Sequence, residues 1–113
     1  MPRPISRQEL EALIDGDKAT VVEALSAGAF EQGHLPGAVH LGNDDVKGRA
    51  PAVLPDKAAT VVTYCAGTTC QNSAEAAREL ESLGYTDVRE YVEGKADWEQ
   101  AGLPLERAAT TSA

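Results

Sequence analysis

The chain has 113 residues, with 10 Lys+Arg against 18 Asp+Glu and a formal net charge of −8, a length that suits one domain around one core. Hydrophobic residues at 42% and charged residues at 25% argue against a disordered, fibrous or membrane-embedded chain. The acidic balance, with aromatics at only 4%, argues against a nucleic-acid partner, whose phosphates need a basic face.

In chain order, Ser6-Arg7-Gln8-Glu9 reads as a capping box at the start of a helix running to about Asp15, with Leu10, Leu13 and Ile14 on its apolar face and Gly16 as its stop. Thr20 to Ala24 is short and β-branched, as a buried strand is. Ser26 to Gln32 suits a short helix ending at Gly33, His34-Leu35-Pro36-Gly37 a turn, and Ala38 to Leu41 a brief strand. In Gly42 to Asp56, Gly48, Pro51 and Pro55 break any long element, leaving one or two helical turns around Asp44 to Lys47.

Thr60-Val61-Val62-Thr63-Tyr64 is the clearest strand, and it runs directly into Cys65 and the loop Ala66 to Gln71. Asn72 or Ser73 can cap the following helix, whose inner face is Ala76, Ala77, Leu80 and Leu83 and which ends at Gly84. Asp87 to Val92 reads as a half-buried strand and Lys95 to Ala101 as a last helix closed by Gly102 and Pro104, while the small, polar tail from Glu106 to Ala113 is expected to fray. Alternating strands and helices with short connections predict an α/β domain with a mainly parallel sheet covered on both faces, whose ligands bind beyond the carboxyl ends of the strands. Cys65 lies at such an end.

No apolar run reaches the roughly 18 residues of a membrane span, and the Met1 to Ile5 segment lacks the apolar stretch of a secretory signal. A cytoplasmic protein is the expectation. Two cysteines are too few for a disulfide framework, and in a reducing compartment they point first to redox, metal or nucleophilic chemistry. A nucleophilic Cys65 needs its thiolate stabilised. The loop that follows leads into a helix N-terminus, where free amides and the macrodipole favour an anion, and Gly67, Thr68 and Thr69 add a tight turn and hydroxyl donors. The expected geometry is a concave bowl with the Cys65 sulfur at its base. Two alternatives stand beside this one: Cys65 as an inert small hydrophobe at a strand end, and Cys70 either as a resolving thiol or as loop packing. Metal binding is disfavoured, since only His34 and His40 are available to complete a four-ligand site.

Several blocks then recur in a familiar order: Val21-Val22-Glu23-Ala24-Leu25, Phe30 through His34-Leu35-Pro36-Gly37-Ala38 to His40, Val61 to Cys65, and Ser73 through Ala76-Ala77, Leu80 and Leu83-Gly84-Tyr85 to Val88. Gly94, Trp98, Ala101-Gly102 and Pro104 complete the set. Over about Ile5 to Glu106 the chain resembles the rhodanese-like domain in its single-domain form. The resemblance implies a rhodanese-like α/β fold, a single domain over residues 1–106 and a flexible tail over 107–113. It implies a sulfurtransferase that carries sulfane sulfur as a persulfide on Cys65. Ala66, Gly67, Thr68, Thr69, Gln71 and Asn72 would cradle the substrate, and Cys70 is a possible second thiol. The partners implied are a small-molecule or protein-borne sulfur donor and a thiol acceptor, with no cofactor, no metal, no nucleic acid and no membrane.

The chain departs from the family pattern in three places. The usual acidic-x-Arg after the first strand block is Glu23-Ala24-Leu25, so the arginine is lost. No Lys or Arg occurs from Cys65 to Ala77, where the family's loop closes with an arginine, and the loop is about two residues longer, with Cys70 inside it. The paired glycine before the last helix is Glu93-Gly94. An arginine-free loop predicts poor use of thiosulfate, a dianion, and disfavours the phosphatase and arsenate-reductase chemistries related to this fold. Neutral or protein-borne persulfide donors are less affected. The competing readings are a non-catalytic binding or regulatory module and a Cys65/Cys70 thiol redox sensor.

Overall fold

A computed structural model describes residues 3–16, 18–25, 27–42, 46–67 and 71–106. The elements are β1 Arg3–Pro4, α1 Arg7–Asp15, β2 Thr20–Glu23, α2 Ala27–Gln32, β3 Val39–His40, α3 Val46–Val53, β4 Thr60–Tyr64, α4 Asn72–Ser82, β5 Asp87–Tyr91 and α5 Gly94–Gln100. All five strands lie in one sheet of order β1-β5-β4-β2-β3, and every pairing is parallel. The predicted α/β class with a parallel sheet is therefore the observed one. β4 is central, with Val22 opposite Thr63 on one side and Val61 opposite Val88 on the other.

Strand alternation divides the interior in two. Val22, Val61 and Val88 point to the side covered by α3 and α4, packing against Val46, Ala50, Ala76, Ala77 and Leu80. Val21, Val62, Tyr64 and Tyr91 point to the other side, where they meet Leu10, Leu35 and Trp98. The capping box forms as read: Glu9 N–H donates to Ser6 Oγ, and Ser6 N–H donates to the Glu9 carboxylate. Gly37 takes the turn at φ +74°.

The structure corrects four expectations. β1 went unread because a two-residue Arg-Pro strand carries no periodicity. It forms by parallel pairing with β5, extended by an Ile5 N–H bond to the Glu90 carbonyl. α3 runs through Gly48 and Pro51 instead of stopping at them. Val46, Ala50 and Leu54, at i, i+4 and i+8, are buried on one stripe, and that burial outweighs the one backbone bond Pro51 withholds. The helical turns expected at Asp44 to Lys47 fall partly outside the described residues, and the observed helix begins at Val46. Finally, Glu106 does not fray: it exchanges two 2.8 Å backbone bonds with His34, and its carboxylate accepts from Gly37 N–H. Residues 107–113 lie outside the described residues. Among the described residues no helix is long and apolar enough to cross a membrane.

Candidate active site

Cys65 leaves the carboxyl end of β4, as its position after Thr60–Tyr64 requires. The strand end is pinned from both sides. Ala24 N–H, at the end of β2, donates to the Tyr64 carbonyl at 3.0 Å, and the first residues of α5 receive the loop: Lys95 N–H donates to the Cys65 carbonyl at 2.8 Å and Ala96 N–H to that of Ala66 at 2.9 Å. This approach demands glycine at position 94. Its φ is +67°, and a Cβ there would overlap the Cys65 carbonyl oxygen and come within 2.9 Å of Gly67 N. The one glycine kept from the family pair is thus the one that touches the cysteine loop.

Two polar clusters flank the strand end on opposite faces of the sheet. On the α4 face, Cys65 Sγ lies 3.4 Å from Ser73 Oγ, and Ser73 Oγ donates to Glu90 Oε2 at 2.8 Å. The buried Thr63 hydroxyl donates to the Ser73 carbonyl at 3.0 Å, fixing the first turn of α4 against β4. On the other face the Glu23 carboxylate is fully buried. It accepts from Tyr64 O–H at 2.6 Å, and Lys95 Nζ sits 3.1 Å from its Oε1 and 3.2 Å from its Oε2. Lys95 Nζ also donates to the Ala29 carbonyl, and Tyr64 oxygen accepts from Leu35 N–H. Burial, reinforced by the adjacent Glu23 charge, pushes the Tyr64 hydroxyl far above its ordinary range, so it serves as a permanent donor.

The predicted cradle is only partly described. Thr68, Thr69 and Cys70 lie outside the described residues. Ala66 and Gln71 are exposed. Asn72 donates from Nδ2 to the Ala24 carbonyl at 3.2 Å, tying the head of α4 to β2. Neither Asn72 nor Ser73 caps α4, contrary to the sequence reading. The N-cap position is Gln71, which makes no side-chain cap bond, while Asn72 is turned to Ala24 and Ser73 to Glu90. The expected bowl falls on a loop whose residues 68–70 lie outside the described residues. Cys65 is 1% exposed and is in its disulfide form, so its sulfur is covered in this conformation.

The sequence carries no local sign of the partnership between Lys95 and Glu23, or of the part Glu90 plays. The available signal was the kept acid at Glu23 without its arginine, because a buried carboxylate needs a counter-charge from somewhere. Nothing comparable marked Glu90. Among the described residues no group of three or more His, Cys, Asp or Glu side chains is placed to hold a metal ion.

Comparison with known proteins supplies a wider context for this geometry. A family model described as the rhodanese-like domain matches residues 6–101. The chain is 28% identical over 105 residues to the HTH-type transcriptional regulator Rv0324 of Mycobacterium tuberculosis, an alignment covering 93% of this chain and 45% of the regulator. It is 38% identical over 60 residues to the thiosulfate sulfurtransferase PspE of Escherichia coli, covering 52% of this chain and 55% of that protein. The chain thus spans about half the length of these two relatives. Among solved structures, the BH2092 protein of Bacillus halodurans superposes with a TM-score of 0.84 at 22% identity, over 93% of this chain and 77% of that one, and shares the fold.

Proposed function

The chain belongs to the rhodanese-like domain family, and from that premise we propose that it is a sulfurtransferase that carries sulfane sulfur as a persulfide on Cys65. The observation that carries this reading is the seat of Cys65 at the end of the central strand with the first turn of α4 against its sulfur, Ser73 Oγ at 3.4 Å. The positive end of an eleven-residue helix is thereby brought to the atom on which negative charge must develop. The similarity to a thiosulfate sulfurtransferase over 60 residues supports the same chemistry.

In the transfer, the Cys65 thiolate attacks the outer sulfur of a donor persulfide, and the donor's inner sulfur departs as a thiolate. An acceptor thiolate then attacks the outer sulfur on Cys65, and Cys65 departs in turn. Only reduced Cys65 can begin this cycle, which fits a reducing cytoplasm as its setting. Ala66, Gly67, Thr68, Thr69, Gln71 and Asn72 form the cradle in this reading, and Cys70 is a second thiol.

Thiosulfate is a poor donor in this account. The loop has no cation from Cys65 to Ala77, and Lys95 is committed to Glu23 and the Ala29 carbonyl. Steady-state transfer to a thiol acceptor, measured with thiosulfate and with a low-molecular-weight persulfide as donors, tests the reading. Turnover from the persulfide with little from thiosulfate supports it, and turnover from neither sinks it.

A second reading, a reversible thiol redox switch at Cys65 and Cys70, is favoured by one observation, the disulfide form of Cys65. Rapid, reversible oxidation with no persulfide from any donor would select it.

A further inference from the structure

The Ser73 hydroxyl has one proton, and that proton points away from the cysteine. Ser73 Oγ donates to Glu90 Oε2 at 2.8 Å, so what it presents to Cys65 Sγ, 3.4 Å away, is a lone pair. Such an oxygen accepts from a thiol S–H and repels a thiolate. Ser73 and Cys65 are each 1% exposed, so water does not take over the hydroxyl's role.

We propose that Glu90 is a positioning residue which, through the Ser73 hydroxyl, holds reduced Cys65 as a protonated thiol. Once Cys65 is reduced, the chain Cys65 S–H, Ser73 O–H, Glu90 carboxylate is polarised in one direction, with each proton directed toward the negative charge. Among the described residues, the cations on neighbouring elements are bonded to other carboxylates or exposed. Arg89, next to Glu90 on β5, is bonded to Asp87. Lys95 is bonded to Glu23 on the opposite face, and Arg7 to Asp97. Arg3 on β1 and Arg78 on α4 are exposed. The macrodipole of α4 and the Glu90 relay thus oppose one another at the same sulfur, and the relay acts through a direct hydrogen-bond chain.

The consequence for sulfur rests on the proposed function: a more basic Cys65 is a slower leaving group, so a persulfide on it is retained until a strong acceptor arrives. The thiol state itself does not rest on that reading and is measured without a sulfur donor.

The experiment is the pH profile of iodoacetamide labelling of the reduced full chain, with Cys65 and Cys70 resolved by peptide mass spectrometry. Glu90→Gln removes the charge and offers Ser73 a donor, freeing the serine proton for the thiolate. Its Cys65 labelling rate at mildly acidic pH is expected to rise about tenfold, the scale of one hydrogen bond to a charged group. Glu90→Asp, which keeps the charge, should stay near the wild type. In a Ser73→Ala background the effect of Glu90→Gln should shrink severalfold, because the relay is cut. An unchanged profile in folded Glu90→Gln protein overturns the proposal, as does an equal effect with and without Ser73. Failure of the protein to load sulfur would count against the sulfurtransferase reading while leaving this profile interpretable.

Discussion

Lys95 and Glu23 stand 72 positions apart in the chain and form a buried ion pair, with Nζ 3.1 Å from Oε1 and 3.2 Å from Oε2. The lysine's own amide also holds the Cys65 carbonyl. One residue therefore neutralises a fully buried carboxylate and anchors the end of the strand that carries the cysteine. Lys95→Met should strand the Glu23 charge and lower unfolding stability by about 3–5 kcal/mol in urea titrations. The double variant Lys95→Met with Glu23→Gln should recover much of that loss. A single variant as stable as wild type would mean the pair contributes nothing.

Gly94 is constrained twice over, by φ +67° and by the approach of the Cys65 carbonyl. Gly94→Ala should cost at least about 1–2 kcal/mol from the left-handed backbone alone, with an added penalty from the clash. The displaced backbone is that of Cys65 and Gly67, so the same variant should alter Cys65 labelling even where it folds. Gly28→Ala, where a Cβ meets nothing within 4 Å, is the matched control and should be close to neutral.

Acid stability has an identifiable contributor on the Tyr91 face. Asp97 accepts from Tyr91 O–H and from Arg7 Nη1, and these bonds, the tyrosine's foremost, hold its carboxyl below the ordinary 3.8. A depressed carboxylate stabilises the fold above its unfolded value, and that contribution is lost as pH falls through the lower folded value. Asp97→Asn should therefore flatten the stability curve below about pH 4, as followed by thermal melting across pH. An acid limb identical to wild type would remove Asp97 from the account.

Much of this architecture was legible in the sequence. The β-branched run before Cys65, the Ala76, Ala77, Leu80 stripe and the Ser6 to Glu9 box each impose a local pattern that tertiary contacts then reinforce. β1 was not legible, because its pairing partner on β5 is remote and its own two residues are exposed. α3 was misread because Gly48 and Pro51 are local signals, whereas its stability comes from the buried Val46, Ala50 and Leu54 stripe. At the site, the position of Cys65 could be read from the strand before it. The roles of Lys95 and Glu90 could not, since each is defined by a partner brought together only by the sheet.

An arginine added to the loop tests the donor preference. Asn72→Arg would place a cation near the cradle at the loss of the Asn72 bond to the Ala24 carbonyl. Thiosulfate affinity should rise more than reaction with a neutral persulfide donor, by about the tenfold that a new charge-assisted hydrogen bond supplies. Equal gains for both donors would show that charge at this position does not set specificity.

The most direct test of the central claim is intact-mass spectrometry of the reduced protein after exposure to a low-molecular-weight persulfide, with Cys65→Ser and Cys70→Ser in parallel. The account predicts that wild type and Cys70→Ser each gain the mass of one sulfur atom on Cys65, released by a thiol acceptor, and that Cys65→Ser gains none. Loading of Cys65→Ser but not of Cys70→Ser, or no loading of the wild type at all, would contradict it.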